Sequence, residues 1–389
     1  MDRKLNLAVV VSSLAVGGAE QLLLMLLKNM DRERFAVRVL FLRSPGMVGS
    51  EVLGLGMDAR TDILRSRFDL GGVPRLARLL AAHRTDVLLL INHLNTLFFG
   101  VLAARLARVP VCVNWENETF KRYPFHPLTM LCRRILHAGV TVVVAAAHGH
   151  KRYIADVEKI PLQKIEVIYN GVDPGRFRST LSPSEARRRL GIPGGSPVVS
   201  IVAVLRPDKA HEVFLEAARR IRNELPDAHF LIIGDGPQRP LLESRAAALN
   251  IADTVHFVGF QRDLADILAA VDVNTLSSKP EQETLSVAAI ETMAAGIPVV
   301  CTDVGFMNEI VIEGQTGYRV AVGDAAALAD RVLALLRDRG LRDRMGATAA
   351  RLVEEKLSAR TMAQGFEELF LRTYSARRPR RGGPGEACP

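Results

Sequence analysis

The 389-residue chain is poor in aromatics, which make up 5% and include a single tryptophan. A stacking platform for single-stranded nucleic acid wants several exposed rings, so that class is disfavoured. Cysteine is scarce as well. Cys112, Cys132, Cys301 and Cys388 contain no CxxC pair, which argues against a disulfide scaffold or zinc ribbon and makes a reducing compartment the default. Long unbroken apolar runs are missing too. Residues 87–104 carry no charge, but Asn92, His93, Asn95 and Thr96 sit in their middle, where lipid would leave polar groups without partners. VLLLI there reads as a buried strand and TLFFGVLAARLA as the helix after it. Arg3 and Lys4 ahead of an apolar run imitate a signal peptide. Yet Gly17-Gly18-Ala19-Glu20 leads straight into QLLLMLLKNM, so strand, glycine loop and helix is the preferred reading. No spanning helix is expected.

What is present is globular. Hydrophobic residues make up 48% and charged residues 24%, and the length suits two domains. Lys and Arg outnumber Asp and Glu by 51 to 42, an excess that favours anionic partners. Short β-branched runs (LNLAVVV, AVRVLFL, DVLLLI, VPVCVNW, VTVVVAA) alternate with helical stretches. A second series follows: VVSIVAVL, HFLIIGDG, VHFVGF, VDVNTL and IPVVCTD. Such alternation predicts parallel sheets covered on both faces: two doubly wound, Rossmann-like α/β units facing across a cleft. The expected division is 1–178 for the first domain, 179–360 for the second, a helix at 361–375 packing back on the first domain, and a disordered basic tail at 376–389. In open α/β sheets ligands bind beyond the carboxyl ends of the strands, so the loops there hold the candidate residues.

The sharpest pattern is Glu283 and Glu291, eight positions apart, around Thr284-Leu285-Ser286. With a helix expected from Leu285, Glu283 stands at its mouth and Glu291 two turns in, roughly on the same side. First-turn N–H groups without intrahelical partners make an anion site for a diphosphate, and a carboxylate further along accepts from sugar hydroxyls. Taken alone, Glu281 and Glu283 equally suit a helix dipole. The context is larger. Gly17-Gly18-Ala19-Glu20, Asn170-Gly171-Val172-Asp173, Gly234-Asp235-Gly236-Pro237, Val258-Gly259-Phe260, the E-x7-E helix and Gly314-Gln315-Thr316-Gly317-Tyr318 occur in that order. Together they resemble the retaining glycosyltransferases of family four, which have the GT-B fold.

The resemblance implies transfer of a sugar from a nucleotide diphosphate sugar to a glycan or lipid-linked acceptor with retained configuration. Glu291 would bind ribose, Glu283 the donor sugar, and the backbone at Thr284, Leu285 and Ser286 the diphosphate. Lys209 matches the family lysine. The commonest family arginine position is Val204 in this chain, leaving Arg206 either to reach the phosphate or to cap a loop. Phe260 lies where base choice is made. Gly17 and Gly18 permit close approach of a phosphate or acceptor group. The family's usual histidine position holds Glu116, which either bonds hydroxyls or acts as base. His93 and His126 are substitutes, and Trp115 stacks on a sugar or packs in the core. The resemblance implies no essential metal, and His148 and His150 lack further ligands at a sensible spacing; no cofactor is expected beyond the donor. Basic clusters (Arg133-Arg134, Lys151-Arg152, Arg187-Arg188-Arg189, and Arg377, Arg378, Arg380 and Arg381) suit an anionic membrane or a solvated surface, and no nucleic-acid module is present. The expected place is the cytoplasm, with peripheral contact at the inner face of the cell membrane. The alternatives are an epimerase or phosphorylase on the same fold, or a non-catalytic sugar-nucleotide-binding module.

Overall fold

The computed structural model describes residues 3–14, 18–66, 69–91, 94–117, 127–280 and 283–377. Gly17, His93, His126, Glu281, Cys388 and the arginines at 378, 380 and 381 lie outside the described residues.

Two parallel sheets form. The first contains β1 (Leu5–Val11), β2 (Phe35–Phe41), β3 (Asp58–Arg60), β4 (Val87–Ile91), β5 (Val111–Glu116), β6 (Val142–Ala145) and β7 (Ile165–Val167), in the order 3-2-1-4-5-6-7. The second contains β8 (Val198–Val202), β9 (His229–Ile233), β10 (Val255–Gly259), β11 (Val273–Leu276), β12 (Val299–Thr302) and β13 (Gly317–Val320), in the order 10-9-8-11-12-13. Both orders reverse direction once, between β1 and β4 and between β8 and β11. Crevices for ligands open at such reversals.

Helices α1 (Gly18–Asn29), α2 (Gly46–Leu53), α3 (Gly72–Ala82), α4 (Leu94–Leu106), α5 (Pro127–His137) and α6 (His148–Glu158) connect the first sheet. Helices α7 (Pro183–Arg189), α8 (His211–Glu224), α9 (Arg239–Ala248), α10 (Ala265–Leu268), α11 (Val287–Ala294), α12 (Ala325–Arg337) and α13 (Arg339–Lys356) surround the second. Every residue of β4 is buried, as its unbroken apolar run requires between two helical layers. No helix among the described residues is long and apolar enough to cross a membrane.

The last helix, α14 (Ala359–Arg377), lies on the first sheet although it follows the second. Phe366 packs edge-on against Trp115 with ring centroids 4.7 Å apart. Trp115 is therefore a core residue and not a sugar platform. Tyr374 accepts a hydrogen bond from Arg3, whose guanidinium also grips Asp86 at 2.7 and 2.8 Å. The chain thus passes between domains twice, and the two passages are tied together. Val172 donates to Leu357 O at 2.9 Å, and Ala359 donates to Val172 O at 2.7 Å. Gly171 makes this possible, because a Cβ there would stand 2.3 Å from Ser358 O.

Three strands escape the expected list: β3, β7 and β13. With three or four residues each, they are too short to show a period. The closing helix also runs beyond the expected 361–375 at both ends, because Thr361 and Met362 are already anchored on Ser358.

Candidate functional site

The loop before α11 is held from several sides. Ser286 caps the helix, its Oγ accepting from Ala289 N at 3.3 Å. Leu285 is drawn into the core of the second domain. Thr284 O accepts from Phe306 N at 2.9 Å. Gly305 lies so close that a Cβ on it would stand 2.1 Å from Glu283 O; only glycine fits, and its φ of 55° adds a second reason. The helix accordingly begins at Val287, later than the expected Leu285. Glu283 lies in the loop ahead of it and shares no helical face with Glu291.

Buried Glu283 accepts from Ser278 Oγ at 2.8 Å and forms an ion pair with Lys209. Lys209 ends a 3-10 turn, Pro207–Lys209, that follows β8. Arg206 opens the same turn, half-exposed, with its guanidinium 3.2 Å from Asp208. The β8 loop is steadied by the Gly234–Pro237 turn, where Asp235 O accepts from Leu205 N at 3.0 Å. Ala210 then adopts the left-handed conformation, φ 47° and ψ 46°. For an alanine this costs about 1–2 kcal/mol, part of which glycine returns as chain entropy. Ala210→Gly is therefore expected to raise stability by about 0.5–1 kcal/mol, read as a small increase in denaturation midpoint. A lower midpoint would contradict the strain.

Glu291 lies on α11 at the seam of the two domains. It borders a cavity of about 20 Å³ lined also by Gln21, Asp173, Arg176 and Val287. Burial pushes its carboxyl up to about 7, against the opposing pull of Arg176. The start of α1 stands opposite: a Cβ on Gly18 would be 3.4 Å from the Val287 side chain. Two helix N-termini thus converge, which concentrates outward N–H groups and positive potential in one place. Phe260, 59% exposed, projects beyond β10.

Glu116 departs from its expected role. It ends β5 on the face opposite Trp115, buried beneath α5 and α6. Arg133 on α5 bridges Glu116 and Glu158, each at 2.9 Å, and Asn114 donates to Glu116 at 2.7 Å. Burial opposes its charge, but Arg133, His137 and His150 outweigh that and hold Glu116 below the usual carboxylate range. Glu158, buried and facing the charge of Glu116, is pushed up to about 7. A carboxylate committed in this way inside the first domain is not placed to act as base. Donor atoms of Glu116, His137 and Glu158 lie within 4.8 Å of one another, a metal-like set that the spacing does not reveal. The guanidinium of Arg133 already supplies the cation between the two carboxylates.

Sequence reasoning also missed Glu309. From a 3-10 turn after β12, it crosses to the first domain and accepts from His148 N at 2.9 Å, Gly149 N at 2.6 Å and Tyr169 OH at 2.6 Å. Burial opposes ionisation, but these three donors keep its carboxyl below the usual range. It caps α6 from the other domain, a contact between residues 160 positions apart that no local pattern signals.

Residues 16–176 match the family model Glycosyltransferase Family 4, and residues 183–352 match Glycosyl transferases group 1. The chain is 30% identical over 229 residues to N-acetyl-alpha-D-glucosaminyl L-malate synthase of Bacillus anthracis, covering 59% of each. It is 33% identical over 279 residues to alpha-D-kanosaminyltransferase of Streptomyces kanamyceticus, covering 67% of this chain and 70% of that protein. The first four curated relatives are matched over 43% to 59% of their length. Among solved structures, Anabaena Alr3699/HepE in complex with UDP-glucose superposes with a TM-score of 0.82 at 21% identity, covering 94% of this chain and 99% of that one. This likeness supports the GT-B fold. By its two matched halves and its kanosaminyltransferase relative, the chain belongs to the glycosyltransferases with a Family 4 amino-terminal domain and a group 1 carboxy-terminal domain.

Proposed function

We propose that the protein transfers a sugar from a nucleotide diphosphate sugar to a glycan or lipid-linked acceptor, keeping the anomeric configuration. The observation that carries this reading is Glu291, which is in no ion pair among the described residues and faces the start of α1 across a small cavity shared with Arg176. Glu291 is the acceptor for the ribose hydroxyls. The diphosphate lies at the converging starts of α1 and α11, at Gly18 and the backbone of Thr284, Leu285 and Ser286. Lys209 and Arg206 face the negative charge that grows as the bond from the anomeric carbon to the phosphate oxygen breaks. The acceptor oxygen forms the new bond to that carbon and gives its proton to the departing diphosphate oxygen. Glu283 then turns from Lys209 toward the sugar's hydroxyls, and Phe260 covers the base. Positive charge from Lys209, Arg206 and the helix start fills the role a divalent ion has elsewhere, so the reaction is proposed to be metal-independent. The UDP-glucose in the HepE complex supports a UDP sugar as donor, and the basic surface supports a peripheral membrane contact.

The test is a melt with UDP-, GDP- and ADP-glucose, followed by labelled transfer into a bacterial lipid extract. At 100 times the dissociation constant a ligand stabilises by about 2.7 kcal/mol, so the UDP sugar should raise the melting temperature by several degrees. Label should then enter lipid or glycan. UDP-sugar turnover that yields only an epimer, independent of any acceptor, would overturn transfer.

A further inference from the structure

A second cavity, of about 960 Å³, lies between the two domains. Its size is at the upper end for small-molecule sites. One wall is the start of α6, which follows β6, and the other is the loop after β12. Both walls lie beyond the carboxyl ends of their strands, where open α/β sheets hold ligands. None of the residues proposed to hold the donor lines it. Lys151, Arg152, Leu162, Tyr169, Phe306 and Asn308 do. Among the described residues, neither Lys151 nor Arg152 has an ion pair or a side-chain hydrogen bond. The lining has a single carboxylate, Glu309, and its oxygens are already engaged by His148 N, Gly149 N and Tyr169 OH. The cavity therefore holds two cations with no counter-charge free to meet them.

The rest of the lining narrows the ligand. Tyr169 and Phe306 supply aromatic rings, Leu162 is 48% exposed, and Asn308 carries both an amide donor and an acceptor. A bare anion has no use for the rings, and an acyl chain has none for the cations. A sugar with a charged substituent uses every group: its C–H faces meet the rings, its hydroxyls meet Asn308, and its charge meets Lys151 and Arg152. We propose that this cavity binds an anionic saccharide, a sugar bearing a phosphate or a carboxylate. The site adjoins the proposed donor loop. Phe306 N donates to Thr284 O at 2.9 Å, and Gly305 stands against Glu283 O. A saccharide here touches both domains and the loop that carries Glu283, a place for the charged end of an acceptor or for an effector.

The inference goes beyond sugar transfer and is tested apart from it, because binding is measured without donor. The full chain is titrated by calorimetry with glucose 6-phosphate, glucuronic acid, glucose and inorganic phosphate. The two charged sugars should bind, more weakly as salt rises, and glucose and inorganic phosphate should each bind at least about tenfold less tightly. The double variant K151A/R152A should lose at least about tenfold in affinity for glucose 6-phosphate. It should keep the wild-type melting temperature and its rise with UDP-glucose, which shows that the fold and the donor site are intact. With labelled UDP-glucose added, label entering the charged sugar makes the site an acceptor site. A charged sugar recovered unchanged that tightens UDP-glucose binding makes it an effector site. Failure of both charged sugars to bind the wild-type chain overturns the proposal. So does glucose or inorganic phosphate binding as tightly as glucose 6-phosphate, and so does K151A/R152A binding as well as wild type.

Discussion

At pH 8, Glu291→Gln should make the empty protein more stable, not less. The folded carboxyl holds its proton up to about 7, whereas an exposed one loses it near 4.5. Between those values the native state binds the proton more tightly than the unfolded chain. Stability therefore falls as pH rises through that window, and the full loss is present above it. Each pH unit is worth about 1.4 kcal/mol, which puts the penalty at roughly 3 kcal/mol. The amide mimics the protonated acid and escapes this cost. The variant should melt several degrees above wild type at pH 8 and within a degree or so of it near pH 4.5. The same change should weaken nucleotide-sugar binding about 100-fold, because hydrogen bonds to a charged group contribute about 1.5–3 kcal/mol each. A site residue trades stability for binding in this manner. A Gln variant that melts lower than wild type at pH 8 would make Glu291 a structural residue.

Lys209 and Glu283 should show the opposite coupling. Lys209→Met leaves Glu283 buried without its cation, a loss of about 3–5 kcal/mol. Glu283→Gln on the same background removes the stranded charge and should restore most of that. Turnover should not recover. Taking away the cation proposed to meet the leaving diphosphate should cost about 10²–10³-fold or more in rate, and the second change also removes the proposed sugar contact. Denaturant midpoints and turnover of both singles and the double would separate the effects. Recovered activity in the double variant would confine the pair to folding.

The strand–helix alternation and the six ordered motifs were legible because each depends on near neighbours: a period, a turn glycine, a cap. Glu283, Glu291 and Lys209 were singled out as candidates in that way. Glu116 was misread for an equally local reason. Its position at the end of β5 is the expected one, but which face its side chain meets, and that Arg133 waits there, depend on how α5 is rotated against the sheet. Trp115 was left between a sugar and the core, and its partner Phe366, from the far end of the chain, decides for the core.

The sequence by itself determined the class of fold, the two-domain plan and the candidate loops, since hydrophobic period and turn residues act over a few positions. The tertiary structure alone decided which carboxylates are neutralised and which is left bare. It also decided that Glu309 joins the domains and that α5 turns Leu128, Leu131 and Ile135 outward. Those outcomes rest on burial and on charges brought together from distant segments, and neither has a local trace.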